Sequence, residues 1–221
     1  MNPVDISLYG ILDPEHCNGR DLAELAAIAA EHGVTILQYR DKINDTRHMV
    51  GAVSEIIETI SHTDIPLVVN DRVDIAMAAG AAGVHLGQND MAVEDARALM
   101  GSEAIIGLSI KTLEDAQNAP VELLDYAFIG GVHETKSKNN PTAIGVSGWQ
   151  QRAAILKASS PRLPLGAIAG FTTENTREMV ESGADGIAII SALFKAKNVA
   201  DTAVEFRAII ESAKRTAKDV S

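Results

Sequence analysis

Eight short apolar runs of strand length punctuate the chain. They are Ser7–Leu12, Thr35–Tyr39, Pro66–Asn70, Gly83–Leu86, Ile105–Ser109, Tyr126–Gly130, Leu165–Ile168 and Gly186–Ile190. Between them the apolar positions recur at spacings of three and four. Leu22, Leu25, Ala26 and Ala29 form one such stripe, and Val50, Val53, Ile57 and Ile60 another. This is the signature of helices with one buried face. The pattern predicts helices over Asp21–His32, Thr46–Ser61, Arg72–Ala79, Val93–Met100, Thr112–Asn118, Gly148–Ala158, Thr173–Ser182 and Ala200–Ala213. Thr173 stands where an N-cap belongs, and Gly33, Gly80 and Gly183 stand where helices should end.

Strand and helix alternate eight times without a linker or low-complexity segment. The expected architecture is a single-domain (β/α)8 TIM barrel spanning residues 1–221. An open doubly wound sheet is the runner-up. The one long connection runs from Gly131 to Ser147, and loops of that length are usually functional or mobile.

Composition narrows the picture. Hydrophobic residues are 46% of the chain but aromatics only 4%. The core must therefore be aliphatic, as buried parallel strands require. A net charge of −11 argues against nucleic acid or an anionic membrane as a partner. An acidic protein acting on anionic molecules needs local cations or a metal. Cys17 is the single cysteine, so an intrachain disulfide is excluded and a reducing compartment fits. The N-terminus lacks the features of a signal peptide, and no apolar run reaches the ~18 residues of a membrane span. A soluble, cytoplasmic protein is expected, with small phosphorylated molecules as partners and a homo-oligomer left open.

In such barrels the chemistry lies at the C-terminal ends of the strands. Polar groups crowd that rim: Gln38 to Lys42 after strand 2, Asn70-Asp71-Arg72 after strand 3, Gln88-Asn89-Asp90 after strand 4 and Ser109-Ile110-Lys111 after strand 5. An aspartate after a strand is most often a helix N-cap. Asp71 and Asp90, however, follow adjacent strands and stand beside cationic residues. Two carboxylates with nearby Lys and Arg suit a Mg²⁺–diphosphate, since Mg²⁺ takes one or two carboxylates together with substrate phosphates. Arg40, Lys42 and Lys138 are candidates to neutralise phosphate oxygens. Gly170 and Ser191, after strands 7 and 8, stand where barrels of this kind bind phosphate. Zinc is disfavoured, because the six His are scattered. His85 reads as a hydrogen-bonded barrel residue and His133 as a loop residue able to touch ligand, neither with a catalytic role, and Cys17 and Trp149 read as structural.

Five stretches taken in order resemble the thiamine-phosphate synthase family. They are Gln38-Tyr39-Arg40-Asp41-Lys42, Asn70-Asp71-Arg72-Val73-Asp74, Gly83-Val84-His85-Leu86-Gly87-Gln88-Asn89-Asp90, Gly107-Leu108-Ser109 and Thr135-Lys136-Ser137-Lys138. The resemblance implies an enzyme that transfers hydroxymethylpyrimidine from its diphosphate to the nitrogen of hydroxyethylthiazole phosphate. Its products would be thiamine phosphate and diphosphate. By the same resemblance Gln38, Tyr39, Arg40, Asp41, Lys42, Asn70, Ser109 and Lys138 would contact the pyrimidine diphosphate. Arg40, Lys42, Ser109 and Lys138 would serve catalysis, and Asp71 and Asp90 would bind Mg²⁺. Thr135, Lys136, Ser137, Gly170, Ile190 and Ser191 would hold the thiazole phosphate. The chain departs from the family pattern at Gly131, at His133-Glu134, at Ser137, at Ala169 and at Lys111. A thiazole tautomerase-like paralogue and a non-catalytic phosphate-binding barrel are the alternatives. The complete set of diphosphate and metal residues speaks against both.

Overall fold

The computed structural model describes residues 4–133 and 143–220. Eight parallel strands close into a barrel in sequence order: β1 (Leu8–Leu12), β2 (Ile36–Tyr39), β3 (Leu67–Asn70), β4 (Gly83–Leu86), β5 (Ile105–Ile110), β6 (Tyr126–Gly130), β7 (Leu165–Ile168) and β8 (Gly186–Ile189). Pairing of Tyr9 with Ala188 closes the ring between β1 and β8. The open-sheet alternative is thereby excluded.

The helices are α1 (Leu22–Glu31), α2 (Thr46–Ile60), α3 (Val73–Ala79), α4 (Val93–Met100), α5 (Leu113–Asn118), α6 (Gly145–Ser159), α7 (Thr176–Glu181), α8 (Ser191–Phe194) and α9 (Val199–Val220). Their first turns show why they start where they do. Asp21 and Asp45 accept the backbone N–H groups of Glu24 and His48, at 2.8 and 2.9 Å. Thr112 and Asp115 form a reciprocal capping box on α5. Gly80 ends α3 in the left-handed conformation, with φ 73°.

Two expectations need correction. Thr173 does not cap α7. Asn175 precedes that helix, and its Oδ1 accepts from Thr172 N at 2.9 Å while its Nδ2 donates to Gly170 O at 3.0 Å. The buried Thr176 hydroxyl donates to Thr172 O at 2.7 Å, so side chains fold residues 172–175 into a turn before the helix begins. Secondly, the sequence pattern misses α8, which is four residues long and too short to show a period.

Strand residues sort by parity. Leu8, Leu12, Leu37, Val69, Val84, Ile106 and Ala127 face the helix layer and join its aliphatic core. Tyr9, Ile11, Ile36, Val68, Tyr126, Phe128 and Ala188 fill the barrel interior. Two glycines make room for the interior rings. A Cβ on Gly107 would lie 2.1 Å from the Tyr126 ring, and one on Gly166 would lie 2.2 Å from the Phe128 ring. Small and large residues thus interlock across neighbouring strands.

Candidate active site

The site begins at the end of β2. Tyr39 is buried and its hydroxyl donates to Asp41 Oδ2 at 2.8 Å. Asp41 also accepts from Ile43 N at 2.9 Å, from Asn44 N at 3.0 Å and from Asn44 Nδ2 at 2.7 Å. Burial raises the Asp41 carboxyl, but these hydrogen bonds outweigh it and hold the group below its usual range. The polar atoms of Tyr39 and Asp41 therefore organise the turn that carries Lys42.

Arg40 is braced from the other side. Its guanidinium pairs with Asp13, a buried residue directly after β1. Asp13 also accepts the Glu15 N–H at 3.0 Å, and the His16 ring nitrogen lies 3.3 Å from it. It is a rim residue the sequence reading overlooks, although its position after a strand is the same signal that singles out Asp71.

At the end of β3 the backbone turns sharply. Asp71 has φ 61°, in the left-handed region that side chains other than Asn, Asp and Gly seldom adopt. Its N–H donates to His85 O at 2.9 Å, which ties the turn to β4. The N-cap of α3 is Arg72, and no side chain caps that helix. The next helix, α4, is likewise preceded by Ala92 without a side-chain cap. Neither aspartate is a helix cap.

Instead the two carboxyls meet. Asp71 and Asp90 lie within hydrogen-bonding reach of each other, and Lys42 Nζ pairs with Asp71 Oδ2. Asp90 Oδ2 also accepts the Gly87 N–H at 2.7 Å, which fixes the turn after β4. Burial raises Asp71, but the Asp90 hydrogen bond and the Lys42 ammonium hold it below the usual carboxylate range. Asp90 is pushed above that range, first by burial and then by its hydrogen bond to Asp71, with the charge of Asp71 adding to the same effect. Two acids placed together in this way call for a cation. The donor set is all hard oxygen, which fits Mg²⁺. Among the described residues no group of three or more His, Cys, Asp or Glu converges, so a substrate would have to complete the coordination. The pair opens on a cleft of about 660 Å³, lined also by Lys42, Asn44, Asn70 and Asn89.

Gln38 and Ser109 point into the barrel beneath this rim. Gln38 Nε2 donates to Tyr9 Oη at 2.8 Å, and Ser109 Oγ lies 2.9 Å from His85 Nε2. On the opposite side, Ala169 and Gly170 carry φ 91° and 73° in succession after β7. His133 N donates to Ala169 O at 3.2 Å, and the His133 ring meets the edge of Phe171 at 5.0 Å. Ile190 packs against the barrel interior and precedes α8, of which Ser191 is the first residue. Thr135, Lys136, Ser137 and Lys138 lie outside the described residues.

Ala169 is strained where glycine would not be. The left-handed region costs an L-residue about 1–2 kcal/mol, and glycine gives back about 0.5–1 kcal/mol through the unfolded chain. Ala169→Gly should therefore stabilise the fold by about 0.5–1 kcal/mol. Thermal unfolding of the variant checks this, and a lowered midpoint would count against it.

Comparison with known proteins gives a consistent answer. Residues 8–193 match the family described as thiamine monophosphate synthase. The thiamine-phosphate synthase of Agrobacterium fabrum is 47% identical over 214 residues, covering 96% of this chain and 97% of that protein. That of Azorhizobium caulinodans is 38% identical over 215 residues, covering 97% and 99%. The solved thiamine phosphate pyrophosphorylase of Pyrococcus furiosus superposes with a TM-score of 0.82 at 33% identity, over 96% of this chain and 98% of that one. Since the family match runs from the first residue of β1 into α8 and takes in the whole aspartate-bearing rim, the chain belongs to the thiamine monophosphate synthase family.

Proposed function

We propose that this chain transfers hydroxymethylpyrimidine from its diphosphate to the ring nitrogen of hydroxyethylthiazole phosphate, with Mg²⁺ held by Asp71 and Asp90. The observation that carries the metal half is the meeting of those two carboxyls beside Lys42. A barrel that only bound a phosphate ester would gain nothing from adjacent acids that repel one another, and a tautomerase has no diphosphate for them to serve.

Loss of diphosphate places negative charge on the leaving oxygens, and groups fixed where that charge develops lower the barrier most. Arg40 suits this task because Asp13 holds its guanidinium at the rim. Lys42 supplies a second, more exposed cation, and Lys138 would approach from the loop after β6. When bound, Mg²⁺ would add Lewis-acid stabilisation of the same oxygens. Asn70, at the end of β3, lines the same cleft. Gln38 and Ser109 would orient the pyrimidine, while Tyr39 and Asp41 hold the Lys42 turn. The left-handed pair Ala169-Gly170, with Ile190, Ser191 and the segment Thr135–Ser137, would hold the thiazole phosphate against the pyrimidine. Reaction then depends on departure of the leaving group, orientation and exclusion of water rather than on a nucleophilic side chain.

Purified protein freed of metal with EDTA should form no thiamine phosphate from the two substrates, and Mg²⁺ should restore the activity. Full turnover in excess EDTA would remove the metal from this account.

A further inference from the structure

Five polar side chains form one hydrogen-bonded chain through the barrel interior, and the reaction outlined above employs only its two ends. Gln38 Nε2 donates to Tyr9 Oη at 2.8 Å. Tyr9 Oη and Tyr126 Oη are 2.9 Å apart. Tyr126 Oη lies 3.1 Å from His85 Nδ1, and His85 Nε2 lies 2.9 Å from Ser109 Oγ. The members come from β2, β1, β6, β4 and β5, so the chain crosses the barrel. Burial holds both phenols protonated, as hydroxyls able to give and take one hydrogen bond each.

With the Gln38 amide nitrogen turned to Tyr9, counting donors gives one direction. Tyr9 accepts from Gln38, so its own proton goes to Tyr126. For a neutral imidazole, Tyr126 then donates to His85 Nδ1 as the unprotonated nitrogen. The proton of His85 sits on Nε2 and goes to Ser109 Oγ. Ser109 is left with its O–H to donate, and Gln38 with its Oε1 to accept. The opposite direction is equally complete, but only if the Gln38 amide turns over, both phenols reverse and the imidazole proton moves to Nδ1. Reversal therefore runs through all five side chains.

We propose that Tyr9, Tyr126 and His85 are positioning residues, a relay that sets which groups Gln38 and Ser109 present to the pyrimidine. The relay rests on the pyrimidine diphosphate reading of the site. An aminopyrimidine offers N–H donors and ring-nitrogen acceptors. A carbonyl oxygen at one end of the relay and a hydroxyl donor at the other match that pair, and reversal would mismatch both at once. The relay thereby converts two separate hydrogen bonds into one coupled recognition element.

Tyr126→Phe and Tyr9→Phe test it, since each keeps the ring that fills the space over Gly107 or beside Phe128. Calorimetry with each ligand separately should show about a tenfold loss of affinity for the pyrimidine diphosphate, equivalent to about 1.4 kcal/mol, and an unchanged affinity for the thiazole phosphate. The double variant Tyr126→Phe/Ser109→Ala should lose clearly less than the product of the two single losses, because one acts partly through the other. Equal loss for both ligands, or a double loss equal to the product, would reduce the phenols to structural residues. If wild-type protein binds no pyrimidine diphosphate, the functional reading fails, and the relay is judged by ¹⁵N NMR of the imidazole. The relay requires His85 in the Nε2–H tautomer in wild type and a mixed tautomer in Tyr126→Phe. The Nδ1–H form in wild type, or the same tautomer in both proteins, would overturn it.

Discussion

Asp71→Asn and Asp90→Asn should each lower the coupling rate by about 10²–10³-fold, the range seen when one preorganised electrostatic contact to a reacting group is removed, while the barrel stays folded. Asparagine is the informative substitute. It keeps the side-chain shape, and at position 71 it tolerates the φ of 61° that alanine would resist. The charge is removed and one acceptor oxygen becomes an NH2 donor. The effect on stability runs the opposite way for Asp90. Its carboxyl titrates higher in the fold than in the unfolded chain. Its contribution is thus favourable at acid pH and is lost as the pH rises through the folded value. Above that folded value the metal-free protein carries the repulsion from Asp71, so Asp90→Asn should raise the unfolding midpoint there. A variant that loses activity while its fold gains stability marks a site built for a ligand. Steady-state rates with parallel thermal melts in EDTA check both halves. A rate close to wild type, or a collapse of the fold, would contradict the assignment.

Gly107→Ala should be among the most damaging single changes in the barrel. The new Cβ would lie 2.1 Å from the Tyr126 ring, and Tyr126 is fully buried between its neighbours. The ring stacks on His85 at 5.6 Å and meets Phe128 at 5.7 Å, so it has no open direction in which to move. Overpacking of this kind costs about 1–3 kcal/mol and occasionally more. For a chain of this size that lowers the melting midpoint by about 2–4 °C per kcal/mol. Displacing the ring also breaks the hydrogen bonds to Tyr9 and His85. Soluble Gly107→Ala protein should accordingly bind the pyrimidine diphosphate more weakly, and a variant as stable as wild type would contradict the packing described.

Much of this was legible in the sequence because the barrel is a local repeat. Each strand is a short apolar run, and turn glycines such as Gly33, Gly80 and Gly183 do adopt positive φ where helices end. The rim residues follow directly from strand ends. What escaped depends on contacts between distant segments. The Tyr9–Tyr126 hydrogen bond joins residues 117 positions apart, so either tyrosine alone reads as aromatic core. The charge on Asp13 looks like an ordinary cap until β1 and β2 pair and bring Arg40 to it. The helix-cap reading of Asp71 fails for a local reason that composition cannot reveal, the left-handed turn tied to His85 O. The start of α7 shifted because Asn175 and Thr176 close a side-chain turn ahead of the helix.

The most direct test is a time course with purified protein, hydroxymethylpyrimidine diphosphate, hydroxyethylthiazole phosphate and Mg²⁺, reading products by mass. The account predicts thiamine phosphate and diphosphate formed in equal amounts, with no turnover when either substrate is left out. Release of diphosphate without thiamine phosphate, or no consumption of the pyrimidine diphosphate at all, would contradict it.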